Sequence, residues 1–232
     1  MGIKKKTEFN KAATARLWEV VAQGSAVDDP RVAEALADGA NPNADDWEGH
    51  ETPLLMAILM RRPGAAQILL SKGADTDKSN DYDQRPLELA GAMGAGNARD
   101  MVNLLIQAGA KVDAVNTKGW TALMHACDVG DKEGALALLD AGADIEHTDS
   151  KGWTPLAAAV YGSDWAAGRA CLEMLVDRGA KVTESGVKQA QAWGRHEVAQ
   201  WLKAIYLARA ERVELEAENP ASKANPRAGV RL

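Results

Sequence analysis

The chain has 232 residues, 46% of them hydrophobic but only 5% aromatic, with seven Trp beside a single Phe and a net charge of −6. An acidic balance disfavours nucleic acid, since phosphate binding rests on clustered Lys and Arg. No stretch reaches the roughly 18 uncharged apolar residues of a membrane helix, and polar Thr7, Glu8, Asn10 and Lys11 stand where a secretory leader needs an apolar run, which predicts a soluble, cytoplasmic protein without membrane contact.

Residues 1–9 read as a flexible N-terminus, and Lys6 stands where a myristoylation signal at Gly2 would need Ser or Thr. Thr7 to Gln23, carrying Leu17, Trp18, Val20 and Val21, predicts a helix whose partner opens at Asp29-Pro30 and runs through Val32 and Leu36 to Gly39. From there the dipeptide Gly-Ala keeps time: Gly39-Ala40, Gly73-Ala74, Gly109-Ala110, Gly142-Ala143 and Gly179-Ala180, at intervals of 34, 36, 33 and 37 residues. A period near 33 residues signals stacked units that bury their apolar faces only against neighbours.

Each unit opens on a helix start: Thr52-Pro53-Leu54, Arg85-Pro86-Leu87, Thr121-Ala122-Leu123 and Thr154-Pro155-Leu156. Pro at the first helical position loses no hydrogen bond, and Thr before it caps free amides. Three residues after each Leu comes a small side chain, Ala57, Ala90, Ala126 or Ala159, with Ala190 in a degenerate last unit, so that neighbouring helices can approach closely. A second helix ends on Leu69-Leu70, Leu105-Ile106, Leu138-Leu139 or Leu175-Val176, four residues before the Gly that supplies its left-handed cap. About a dozen polar, turn-rich residues then predict a short hairpin that projects as a finger.

The Thr-Pro-Leu start, the Leu-Leu end and the Gly-Ala-Asp that follows resemble the ankyrin repeat family over roughly residues 10 to 205. The resemblance implies an all-α repeat solenoid of stacked helix pairs with projecting β-hairpin or loop fingers, spanning 10–207. Its parts are an N-terminal cap at about 10–39, repeats at about 40–73, 74–109, 110–142 and 143–179, and a C-terminal cap at 180–207. Residues 208–232 form a charged extension, helical from Ala208 to Glu218 and disordered beyond. The family's His after Pro-Leu is replaced by Leu55, Glu88, Met124 and Ala157, so its bonding between fingers is missing or differently made. Gly91 to Asn97 and Tyr161 to Gly168 lengthen two inter-helix loops.

Catalytic groups do not converge. His196-Glu197-Val198-Ala199-Gln200 lacks the second ligand of a zinc-protease helix, and His125 and Cys127, two apart on a helix, point to different sides. Gly91 to Gly96 follows no strand and precedes no Lys-Ser or Lys-Thr pair, against a phosphate loop. Asp45, Asp46, Asp81, Asp83 and Asp149 are explained as turn-forming acids of the fingers. Cys127 and Cys171 fall inside helices as buried free thiols, and Trp18 and Trp201 as core. The reading is therefore no enzyme, no cofactor and no metal.

Arrays of this family usually meet ligands with the fingertips and the exposed side of the first helices. Register then places Trp47, Leu59, Met60, Tyr82, Met93, Trp120, Asp128, Val129, Trp153, Tyr161 and Trp193 on the working surface. Aromatic and Met anchors rimmed by acids describe a site for another protein with a basic or mixed-charge surface. The expectation is a monomeric, non-catalytic interaction module, acting as an inhibitor or immunity-type partner or as an adaptor. The alternatives are a tether acting through the basic tail, Lys223 to Arg231, and an enzyme or metal-dependent regulator using His125, Cys127 or His196.

Overall fold

The structure, a computed structural model, describes residues 9–23, 29–46, 51–93, 98–162 and 165–218. Trp47, most of the first long loop (94–97), residues 1–8 and the tail from 219 onward lie outside the described residues. The chain divides into two compact units, Met1–Arg178 and Gly179–Leu232.

In the first unit the described residues form five helix pairs: α1 (Lys11–Gln23) with α2 (Asp29–Ala37), α3 (Pro53–Leu59) with α4 (Pro63–Ser71), α5 (Pro86–Gly91) with α6 (Ala98–Gln107), α7 (Ala122–Asp128) with α8 (Lys132–Asp140), and α9 (Pro155–Tyr161) with α10 (Trp165–Asp177). The odd-numbered helices pack in series, α1 on α3, α3 on α5, α5 on α7 and α7 on α9, and the even-numbered ones do the same from α2 to α10. Two helical layers result. The alanine column is what lets the first layer close up: Ala57, Ala90 and Ala126 are fully buried and Ala159 nearly so. Around it Leu54, Leu55, Ile58, Leu69, Met101, Leu105, Leu123, Met124, Leu138, Leu172 and Leu175 fill the core, each buried apolar side chain contributing about 2 kcal/mol of transfer free energy.

The helix starts behave as capping chemistry requires. The hydroxyls of Thr52, Thr121 and Thr154 accept from the backbone N–H of Leu55, Met124 and Ala157 at 3.2–3.3 Å. Arg85, at the same place in α5, makes no side-chain cap; its guanidinium bonds Glu88 at 3.2 Å and the carbonyl of Val115 in the next finger at 2.7 Å instead. The link between fingers that the family makes through His is differently made here, through Arg85 and Glu88. Helices α2, α4, α6, α8 and α10 are each followed by a Gly at φ between +86° and +97° (Gly39, Gly73, Gly109, Gly142, Gly179), which an L side chain would strain.

The fingers differ from the expected hairpins: the described residues contain no β-strand. Each tip is closed by one cross-finger pair, Asn80 N–H to Gln84 O at 3.1 Å, Asn116 to Trp120 at 3.1 Å and Asp149 to Trp153 at 3.0 Å, and by one turn bond, from the N–H of Asp83, Gly119 or Gly152 back to the carbonyl of Asn80, Asn116 or Asp149. The side chain does the rest. Oδ1 of Asn80, Asn116 and Asp149 accepts two N–H groups of its own finger, two and four residues on, leaving too few pairs for a ladder. A second set of carboxylates and amides joins neighbours: Asn43, Asp77 and Asp113 accept the N–H of Asp75, Lys111 and Asp144 in the following finger.

The second long segment is also not a loop throughout. Helix α10 begins at Trp165 and has 13 residues where α4 and α8 have 9, so most of the insertion extends the helix. In the second compact unit α11 (Glu184–Ala192) packs on α12 (His196–Glu218). Thr183 caps α11 through Gly186 N–H at 3.1 Å, the repeat's opening signal in a unit whose Leu is gone. Helix α12 carries on without a break to Glu218, through the part read as extension.

Candidate functional site

Trp120 and Trp153 occupy the same register in successive fingers, and the structure brings them together. Their ring centroids lie 6.3 Å apart, tilted by 46°. Tyr161, at the end of α9, lies 5.0 Å from Trp153, and His125, on α7, lies 5.1 Å from Trp120. These four rings, with Asp128, Asp149, Lys118 and Lys151, line an open cleft of about 570 Å³. Finger residues form one wall and the C-terminal ends of the first-layer helices the other.

Two devices fix the walls. The indole N–H of Trp120 donates to Asp149 Oδ2 at 3.0 Å, so this Trp buttresses the next finger while its ring faces the cleft. Burial of Asp149 works to raise its pKa, but the N–H groups of Trp153 and Lys151 and the Trp120 indole outweigh it and hold the carboxyl below its ordinary value. Gly162 follows Tyr161 and presses on the backbone of Asp128: a Cβ there would stand 2.1 Å from the Asp128 carbonyl oxygen. That close approach sets Tyr161 beside Asp128.

Behind the rings is a buried polar cluster that the sequence reading passed over. Glu88 on α5 is 3% exposed, and its Oε2, 3.7 Å from His125 Nε2, has no hydrogen-bond partner. Desolvation pushes its pKa up to about 7 against the opposing pull of Arg85. Desolvation, with a smaller push from the Lys118 charge, lowers His125 to about 4, so its ring is neutral at pH 7 and shares a hydrogen bond with Asn116 Nδ2 at 3.1 Å. His125 is thereby an uncharged wall, its ring tilted 58° against that of Trp120.

The remaining surface residues spread more widely. Leu59, Met60, Tyr82 and Val129 are exposed at 46, 47, 69 and 39%. Met93 is half-buried, and its carbonyl accepts from Arg61. Trp193, half-buried, is the C-cap of α11 and belongs to the second compact unit. Asp45 pairs with Lys78 at 2.6 Å, and Asp83, held below its usual pKa by the backbone N–H of Thr117, serves the next finger, so neither is a free rim acid. Trp18 is buried as expected, whereas Trp201 is half-buried.

Chemistry of other kinds finds little support in the geometry. Among the described residues no three His, Cys, Asp or Glu come together as a metal site, and no helix is long and apolar enough to cross a membrane. Cys127 and Cys171 are free and buried; desolvation raises both thiols, Cys171 to about 12, so neither is a ready nucleophile.

Comparison with known proteins agrees with this geometry. Residues 87–185 match the family of ankyrin repeats in three copies. The chain is 35% identical over 96 residues to "Glycerophosphocholine phosphodiesterase gde1" of Schizosaccharomyces pombe, covering 41% of this chain and 8% of that protein. It is 32% identical over 100 residues to "Ankyrin repeat and SOCS box protein 6" of Mus musculus, covering 43% and 23%. It is 33% identical over 88 residues to "Ankyrin repeat and KH domain-containing protein mask-1" of Caenorhabditis elegans, covering 37% and 3%. The chain thus spans less than a quarter of the length of each relative, and the likeness to the phosphodiesterase is confined to repeats, a fold that is typically non-enzymatic and serves protein–protein interaction. Residues 87–185 are thus ankyrin repeats, matched in three copies, and the same helix pair is repeated before them at α3 and α4.

Proposed function

We propose that this protein is a non-catalytic docking module that seats a partner protein across the fingertips and the exposed ends of the first-layer helices. The observation that carries the reading is the aromatic cleft: Trp120, Trp153 and Tyr161 gathered at a surface where Leu59, Met60, Tyr82 and Val129 are also exposed. Large apolar groups held at the surface by structural devices mark interaction sites, and Trp and Tyr are the residues on which binding energy concentrates. The acidic net charge favours a basic or mixed-charge partner by steering its approach. Through this surface the chain acts by occluding the partner, as an inhibitor or immunity-type protein would, or by bridging it as an adaptor. Its two free buried thiols fit a reducing, cytoplasmic setting.

The test compares what wild type and the triple variant Met60→Arg, Tyr82→Arg and Tyr161→Arg retain from native lysate, after equal helicity and melting have been verified. All three side chains are exposed, so folding is expected to survive. A partner lost only from the variant supports the reading. The same partners at the same levels on both proteins would overturn it.

A further inference from the structure

The cleft is built for a charge as well as for apolar surface. Lys151 Nζ already stands 5.8 Å from the centroid of the Trp153 ring, an ammonium over an indole face. Across the cleft lies the half-buried carboxyl of Asp128 on α7. Among the described residues it has no hydrogen bond and no ion pair, and only desolvation perturbs it. Asp149, by contrast, is saturated by N–H groups of its own finger and by the Trp120 indole.

Three occupants can be weighed. An apolar side chain would finish burying the Asp128 carboxylate without giving it a partner, which is costly. An anion would meet Asp128, Asp149 and the negative faces of the rings, while the two basic groups at the rim, Lys118 and Lys151, are exposed and able to swing away. A cation gains from ring faces and carboxylate together.

We propose that the cleft between the Trp120 and Trp153 fingers receives a basic side chain, Arg or Lys, from the partner protein. The charged head lies against the cleft-facing sides of the Trp120, Trp153 and Tyr161 rings, with Asp128 as its counter-ion. The proposal rests on the docking reading above and names the group that the dock recognises. Lys151 is its resident competitor, holding one ring face until the partner's cation displaces it.

The test titrates the full ¹⁵N-labelled chain with N-acetyl-arginine methylamide and N-acetyl-lysine methylamide, and with the neutral isostere N-acetyl-citrulline methylamide, following the indole N–H signals assigned through Trp120→Phe and Trp153→Phe. The expected result is a saturable shift of both signals with at least one cation and none with citrulline. Asp128→Asn, close in shape, weakens binding about tenfold, and Lys151→Ala tightens it about threefold, the sizes set by a partly desolvated cation on an aromatic face. Equal shifts with citrulline, no saturation with either cation, or an unchanged affinity in Asp128→Asn would each overturn the proposal. Were these results to come while the groove variant still loses its partner, the dock would stand and its preference for a cation would fall. Cation binding with an unaffected partner capture would instead remove the dock.

Discussion

One buried arginine and one buried pair carry predictions that no periodicity would suggest. Arg62 is 4% exposed; its guanidinium donates to the carbonyls of Val20 and Val21 at the end of α1 and pairs with Asp29 at 2.8 Å, tying together α1, α2 and α4. Arg62→Ala strands those acceptors and is expected to lower stability by about 3 kcal/mol, read by chemical denaturation. The second case is Glu88 with His125. Glu88 keeps its proton in the folded state up to about pH 7 but loses it near 4.5 when unfolded, so its contribution to stability falls as pH rises between those values. His125 stays neutral in the folded state down to about pH 4 but binds a proton below 6.5 when unfolded, so its contribution rises over an overlapping range. The two slopes oppose each other between about pH 4.5 and 6.5. Glu88→Gln is therefore expected to make stability climb more steeply with pH through that window, and His125→Gln to make it fall relative to wild type, both checked by denaturation midpoints across pH. Parallel curves for all three proteins would show that the cluster does not titrate as described. None of these roles is legible in the sequence: Arg62 and Asp29 meet across 33 positions, and Glu88 and His125 across 37, separations set by stacking.

Helix starts and stops could be read from the sequence because they are local: Thr, Pro and Gly act on amides within a turn of themselves. What happens between elements could not. The sequence predicts a longer loop after Tyr161, yet Trp165 to Gly168 form the start of α10, because added residues can extend a helix as readily as a turn when the register beyond them is kept. The turn-rich fingers predict hairpins, but their side chains take the amides that a ladder would need. Two element-scale outcomes follow. Gly130 follows α7 at φ +73°, in the left-handed region, so Gly130→Ala is expected to lower stability by about 1 kcal/mol in thermal melting. Gly162→Ala sets a methyl against the Asp128 carbonyl; it is expected to lower stability by at least about 2 kcal/mol and to move the Trp fluorescence, since Tyr161 must shift from Trp153.

At the scale of the whole molecule the repeat clock made the stacked units and the layering of helices legible, since a Gly-Ala after each second helix and a Pro-Leu or Ala-Leu at each first-helix start recur in phase. The surface was legible only in part. Register placed Trp120, Trp153, Tyr161 and Asp128 on one face, and the structure gathers them around one cleft; it leaves Trp193 in a separate compact unit, and Trp47 lies outside the described residues. His125 as a wall of that cleft was missed, although its place on the helix that starts at Thr121, next to a finger ending in Trp120, was a signal available in the sequence. Asp77, Asp83, Asp113 and Asp149 prove to be acceptors of backbone N–H groups, so they keep their charge but are held by the scaffold.

The central claim is that the partner sits on this face and not on the outer helix layer. The most direct measurement places a photo-crosslinking benzoylphenylalanine at Tyr161 in one protein and at Glu133, exposed on α8, in another, and irradiates each with the captured partner. An adduct from position 161 and none from 133 is the predicted result. An adduct from 133, with 161 silent while the partner is retained, would contradict the account.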